Sequence, residues 1–150
     1  MVNRFEQLLF PGYCLLCGEP SQRPQDICRA CEQELPALGN HCPRCALPLN
    51  QTGTTECAEC LKKAPYFQRV IAGWRYQGSA AQLISRFKYQ RQHSYGRVLG
   101  ELFSKQLQQA YHGQALPDLI VATPMHWLRR LRRGFNHSEQ LAGQLSRQDR

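Results

Sequence analysis

Eight cysteines arranged as four Cys-x-x-Cys pairs constrain the fold of this 150-residue chain more than any other feature. All of them lie between positions 14 and 60, and ten, ten and eleven residues separate successive pairs. Two residues between thiolates let both sulfurs reach one tetrahedral ion, and four thiolates fill a structural zinc site. The pattern therefore predicts two zinc ions. The expected ligands are Cys14, Cys17, Cys28, Cys31, Cys42, Cys45, Cys57 and Cys60.

Other uses of paired cysteines fit the chain less well. A redox dithiol needs only one such motif, and iron–sulfur ligation is the second alternative. No apolar stretch approaches the roughly 20 residues of a membrane-spanning helix, and nothing near the amino terminus resembles the apolar core of a secretory signal. We therefore expect a cytoplasmic protein with reduced thiols and without membrane insertion.

An internal repeat suggests which pairs share an ion. Residues 14–20 (CLLCGEP) match residues 42–48 (CPRCALP), with a proline three residues past the second cysteine in both. Spacing alone leaves sequential and cross-braced arrangements open, because both use cysteine pairs. A duplicated unit tends to be self-contained, which favours one site from the first four cysteines and one from the last four. Gly18 can adopt the positive φ that turns backbone amides toward the sulfurs.

Charge separates the chain into two parts. Residues 1–65 contain six basic and seven acidic side chains, whereas residues 66–150 contain thirteen basic and four acidic ones. Ionising eight thiols adds eight negative charges and two zinc ions return four positive ones, so the first part reaches net −5 and the whole chain +4. Because an acidic zinc module is a poor phosphate binder, we assign anion binding to the basic part. Basic residues near the cysteines are expected to offset thiolate charge.

The basic part has the periodicity of an α/β unit. Alternating apolar residues at 70–76 predict a strand, and Ser79 can cap the first of two amphipathic helices that follow. The apolar run 119–123 (LIVAT) predicts a central parallel strand, and Asn136 with Glu139 forms an asparagine variant of the capping box before a last helix. The first two helices are expected to bury Leu83, Ile84, Phe87, Val98, Leu99, Leu102, Phe103 and Leu107.

The segment 124–136 (PMHWLRRLRRGFN) lies between the second predicted strand and the last helix. Ligands of open α/β sheets bind outside the carboxyl ends of strands, and a helix amino terminus attracts anions. We therefore predict a phosphate- or pyrophosphate-binding loop here. Its assigned residues are Arg132, Arg133, Gly134 and Asn136. Two alternatives stay open: the arginines can form a solvated helical face, and residues 87–91 (FKYQR) can stack on single-stranded nucleic acid unless Phe87 belongs to the core.

These features together resemble the ComF/GntX family, whose members are linked to DNA uptake, competence and the use of DNA as a nutrient. The residues that carry the resemblance are the paired cysteines, FKY at 87–89, RGFN at 133–136 and EQLA at 139–142. His137 stands where the family usually has glutamine. The resemblance implies a double zinc ribbon over residues 1–64 and a partial α/β domain similar to type I phosphoribosyltransferases over residues 65–150.

The resemblance also implies ligands and partners. Phosphoribosyl pyrophosphate with magnesium would lie at segment 124–136, and single-stranded DNA, a nucleotide or the DNA-uptake machinery are the implied partners. Family members carry paired aspartates and a Thr-Thr-Gly loop that holds the 5′-phosphate, and neither occurs in this sequence. We therefore expect a zinc-binding DNA-utilisation protein. The alternative, a phosphoribosyltransferase enzyme, is expected to be inactive as this 150-residue chain.

Overall fold

The computed structural model describes residues 12–50 and 55–148, and in these ranges the regular secondary structure is helical. The helices there are α1 Arg29–Gln33, α2 Ala58–Lys62, α3 Gly78–Tyr89, α4 His93–Ala110, α5 Trp127–Arg133 and α6 His137–Gln148. Three isolated antiparallel bridges are the only β-pairing in the described ranges. None of the described helices is both long enough and apolar enough to cross a bilayer.

One hydrophobic cluster, centred on α3 and α4, forms the main core. Leu83 and Phe87 of α3 and Val98 of α4 are among its fully buried members, in agreement with the predicted apolar faces. Helix α6 packs on α4, as α3 does. The cluster continues into the segment that contains all the cysteines, residues 14–60, which we call the cysteine-rich part. Its members there are Cys14, Ile27, Cys31 and Leu35. The first four-cysteine group and the long helices therefore share one core.

The starts of α3 and α6 differ in how well the sequence predicted them. The N-cap of α3 is Gln77, whose side chain makes no cap hydrogen bond, so the prediction that Ser79 caps this helix is wrong. Gly78 has φ +50°, and the turn that begins α3 therefore favours glycine at that position.

Asn136 caps α6 as expected, because its Oδ1 accepts a 3.0 Å hydrogen bond from the amide of Ser138. Glu139 pairs instead with Arg130.

The predicted strand at 70–76 is not a strand in this structure. Its only β-pairing is a single bridge between Trp74 and Ala37. The Arg75 amide donates to the carbonyl of Pro36, and the Arg75 Nε donates to the carbonyl of Leu38, both at 3.0 Å. A loop of the cysteine-rich part therefore holds this segment in place of a sheet.

The predicted central strand at 119–123 is also absent. The side chains of Leu119 and Val121 are 75% and 77% exposed. A strand needs a neighbouring backbone for its N–H and C=O groups, and no other strand lies beside this segment among the described residues. The α/β sheet that the sequence led us to expect is therefore not formed in the part of the chain that the structure describes.

Candidate metal centres and basic groove

The eight cysteines form two separate groups of four in sequential order, one containing residues 14, 17, 28 and 31 and the other containing residues 42, 45, 57 and 60. Within each group all four Sγ atoms lie within 4.8 Å of one another. The Sγ atoms of Cys17 and Cys28 are 3.8 Å apart, and those of Cys45 and Cys57 are 3.6 Å apart. Sulfurs bound at about 2.3 Å around a tetrahedral ion are separated by roughly 3.8 Å. Both donor sets therefore fit a structural zinc ion.

The two groups are built on the same backbone turn. The amide of Gly18 donates to the carbonyl of Cys14 at 2.8 Å, and the amide of Ala46 donates to the carbonyl of Cys42 at 2.9 Å. Gly18 has φ +80° and Ala46 has φ +60°. The repeat read from the sequence is thus a structural repeat, in which the second copy places alanine in a conformation that favours glycine.

The second cysteine pair of each group starts a short helix. Cys28 is the N-cap of α1 and its Sγ accepts a hydrogen bond from the amide of Cys31 at 3.5 Å. Cys57 is the N-cap of α2, and its amide donates to the Sγ of Cys42 at 3.3 Å. Helix geometry therefore places the third and fourth sulfurs of each group together and supplies backbone N–H donors to the thiolates.

Backbone amides favour the thiolate form of the leading cysteine in each group. Burial opposes ionisation of Cys14, but the N–H groups of Cys17, Cys28 and Leu16 outweigh it and lower its pKa to about 6. Burial of Cys42 is outweighed in the same way by three backbone N–H groups, and its pKa is also lowered to about 6. Zinc binds the thiolate form of cysteine. The backbone N–H groups of these turns favour that form of Cys14 and Cys42 near neutral pH.

The two metal centres have different surroundings. The first belongs to the main core, whereas Cys42, Cys57 and Cys60 form a small cluster of their own. Arg44 lies inside the second group but directs its guanidinium to the carboxylate of Glu56, at 2.9 Å. Arg44 therefore forms an ion pair with a carboxylate, in addition to any effect on the nearby thiolates.

The segment 124–136 contains a helix where a phosphate-binding loop was expected. Its centre is α5, in which Arg129, Arg130 and Arg132 are exposed, as in the alternative of a solvated helical face, whereas Arg133 is partly buried. Gly134 ends α5 with φ +84°, and its amide donates to the carbonyl of Arg130 at 2.7 Å. Asn136 is buried and its amide group also donates to the carbonyl of Thr123 at 3.1 Å. Gly134 therefore terminates α5, and Asn136 caps the start of α6.

Arg132 and Arg133 line a groove of about 570 Å³ between the end of α3 and α5. We call this surface the basic groove, and its lining residues are Lys88, Tyr89, Arg91, Arg129, Arg132 and Arg133. Arg91 donates to the carbonyl of Arg132 at 2.7 Å, and the Arg133 guanidinium lies 5.3 Å from the centroid of the Tyr89 ring. The sequence offered these two segments as alternative sites, and the fold brings them together.

A buried histidine contacts one of the arginines that line the basic groove. His137 is buried, and its Nε2 accepts a 3.2 Å hydrogen bond from Arg133. Burial lowers the pKa of His137, and the neighbouring charges of Arg133 and Lys88 lower it further. A neutral imidazole can accept from a guanidinium, so His137 helps to hold Arg133 in place. In the sequence, this position stands out only as a departure from the family pattern.

An apolar cavity of about 540 Å³ lies beside the basic groove. Lys88, Arg129 and Arg133 line both spaces. No sequence pattern indicates this cavity, because its walls come from α3, α4, α5, α6 and two non-helical segments that are far apart along the chain.

Comparisons with known proteins agree with this description of the cysteine-rich part. Residues 5–64 match the family described as "Double zinc ribbon domain". The chain is 34% identical over 143 residues to the DNA utilization protein YhgH of Escherichia coli (strain K12). This alignment covers 93% of this chain and 63% of that protein. It is 30% identical over 137 residues to Competence protein F of Haemophilus influenzae, covering 89% and 59%. The chain thus spans less than two thirds of these relatives. No solved structure matches.

Proposed function

Because the chain belongs to the ComF/GntX family, we propose that it is a zinc-stabilised protein that binds single-stranded DNA through the basic groove during DNA uptake or utilisation. The names of its relatives, DNA utilization protein and competence protein, support this role. The observation that carries the proposal is the convergence of five cations and one exposed tyrosine on a single surface. The two zinc centres serve as structural supports, since four thiolates leave no open metal position for chemistry.

A single strand suits the chemistry of the basic groove. Proteins that bind single strands combine a positively charged groove for the phosphates with aromatic rings on which bases stack. Tyr89 is 66% exposed at the groove, and Arg133 lies over its ring, so a stacking surface and a phosphate contact are adjacent. With its thiolates bound to zinc the cysteine-rich part is acidic, which directs the strand to the basic part.

Phosphoribosyl pyrophosphate is the second candidate ligand, because its phosphates would be attracted by the same cations. Magnesium, which would accompany it, does not fit the groove: none of the lining residues carries a carboxylate, and Mg²⁺ prefers carboxylate and phosphate oxygens. A strand backbone needs no such ion. The basic groove therefore favours DNA over phosphoribosyl pyrophosphate, and competition between the two belongs to the test.

The test is fluorescence anisotropy of a labelled oligothymidylate, measured over a range of salt concentrations. Replacing Arg132 and Arg133 together with alanine should weaken binding. It should also reduce the slope of log affinity against log salt by about 0.7 for each phosphate that the protein no longer neutralises. The control replaces Arg130 and Arg147, which removes the same charge from α5 and α6 without touching the lining of the basic groove. This control should change binding little, and circular dichroism checks that both variants fold.

Three outcomes would contradict the proposal. Equal weakening by the control pair would show that net charge matters and the basic groove does not. A full loss from alanine at Lys62 and Lys63 would place binding beside the cysteine-rich part. Displacement of the oligonucleotide only by phosphoribosyl pyrophosphate, and not by unlabelled strand, would favour the second candidate ligand.

A further inference from the structure

The cavity beside the basic groove has the size and lining of a small-molecule site. Its volume of about 540 Å³ falls in the range of roughly 300–1,000 Å³ that such sites occupy. Three aromatic side chains, Trp74, Phe87 and Phe103, contribute flat apolar surface. Ile84, Met125 and Leu141 complete much of the apolar wall. A planar apolar group is the shape that this lining favours.

The rim of the cavity adds a charge requirement. Lys88, Arg129 and Arg133 line the cavity and the basic groove at once, so a ligand that enters the cavity passes beside three cations. A ligand that suits both spaces carries a flat apolar part next to a negative part. One nucleotide of a DNA strand has this construction, because its base and its phosphate are joined by a single sugar.

On the basis of the proposed function, we infer that the cavity receives one base of the strand whose phosphates lie in the basic groove. The base leaves the stack of the strand and packs against Trp74 and Phe103, while its phosphate stays beside Arg129 and Arg133. Asn136 has its side chain engaged with Thr123 and Ser138, so it is poorly placed to read base edges.

The two tryptophans of the chain allow a direct test. Trp74 lines the cavity, whereas Trp127 lines neither the cavity nor the basic groove. In the Trp127→Phe variant, oligothymidylate should quench the fluorescence of Trp74. An oligonucleotide of equal length and charge, built from abasic units, should leave that fluorescence unchanged and bind roughly tenfold more weakly, because base stacking is lost.

A filled cavity gives the matched measurement. Met125→Trp places a large side chain at the cavity wall without changing charge, and Val121→Trp adds the same side chain to the exposed neighbouring segment outside the cavity. By anisotropy, Met125→Trp should weaken binding of the intact oligonucleotide and should leave abasic binding unchanged. Val121→Trp should bind both as the unmodified protein does.

The outcomes separate this inference from the proposed function. If the intact and abasic strands bind equally and Trp74 is not quenched, the cavity does not hold a base, although the basic groove still binds DNA. If neither strand binds, the proposed function fails as well. Quenching by thymidine monophosphate without any strand binding would support a nucleotide site and reject the strand.

Discussion

The hydroxyl of Tyr95 donates a 2.9 Å hydrogen bond to the backbone carbonyl of Leu15, which lies between Cys14 and Cys17. Tyr95 is buried in α4, in the same hydrophobic cluster as Cys14. Close by, Arg97 of α4 pairs with Asp26 of the cysteine-rich part. The first metal centre and the long helices are therefore joined by buried contacts as well as by surface charges.

This connection predicts that metal removal affects the helices. Two zinc ions per chain should be found by elemental analysis. Chelation should reduce the helical signal in circular dichroism, because zinc-binding energy is largely folding energy and the first site shares the main core. Cys31→Ser should lower helical stability more than Cys60→Ser, whose cluster is separate. A single zinc, an iron chromophore or equal effects of the two variants would contradict this.

The hydrogen bond of Tyr95 can be tested by itself. Tyr95→Phe leaves the Leu15 carbonyl without its side-chain donor, so the free energy of unfolding in urea should fall by about 1–2 kcal/mol. Tyr76→Phe is the control, since its exposed hydroxyl makes only a 3.4 Å contact with Ser85. A loss of stability no greater than that of the control would show that the hydrogen bond contributes nothing.

The repeated turn predicts opposite effects at equivalent positions. Ala46→Gly should stabilise the second metal centre by about 0.5–1 kcal/mol, because alanine is strained at φ +60°. Gly18→Ala should destabilise the first by about 1 kcal/mol for the same reason. Thermal unfolding of the zinc-bound protein measures both changes. Changes of the same sign would contradict the equivalence of the two turns.

The packing of α3 on α4 predicts a cost for a single methyl group at Gly96. A Cβ atom there would lie 2.4 Å from the ring of the buried Phe87. Overpacking of this kind costs about 1–3 kcal/mol, which outweighs or cancels the helix-propensity gain of about 1 kcal/mol. Gly143→Ala in α6 is the control, because nothing lies within 4 Å of its Cβ position. Urea unfolding should show Gly96→Ala less stable than the control.

The environment of His137 predicts a pH dependence of stability. Burial, Arg133 and Lys88 lower the pKa of His137 in the folded state below its ordinary value of about 6.5. Its stabilising contribution is therefore complete above the unfolded pKa and is lost as the pH falls through the folded pKa. Between about pH 7 and pH 5 the protein should lose more stability than its His137→Gln variant. Parallel stability curves would contradict the assignment.

The grouping of the cysteines could be predicted from the sequence because it depends on local features. Ligand type and the two-residue spacing determine which sulfurs reach one ion, and the repeat at residues 14–20 and 42–48 favoured the sequential order that the structure shows. The apolar faces of α3 and α4 follow from helical periodicity in the same way. In each case the physical constraint acts within a few helical turns or one short loop.

Only the tertiary structure decided how distant segments meet. Arg91 reaches the carbonyl of Arg132 across 41 positions, and Tyr95 reaches Leu15 across 80, through packing that no local pattern encodes. The prediction of a sheet was wrong for the same reason. Alternation of apolar residues at 70–76 describes side chains, but a strand also needs a partner backbone, and Trp74 finds one only as a single bridge to Ala37. Strand pairing and groove formation depend on which segments lie next to each other, and the packing of the whole chain determines this.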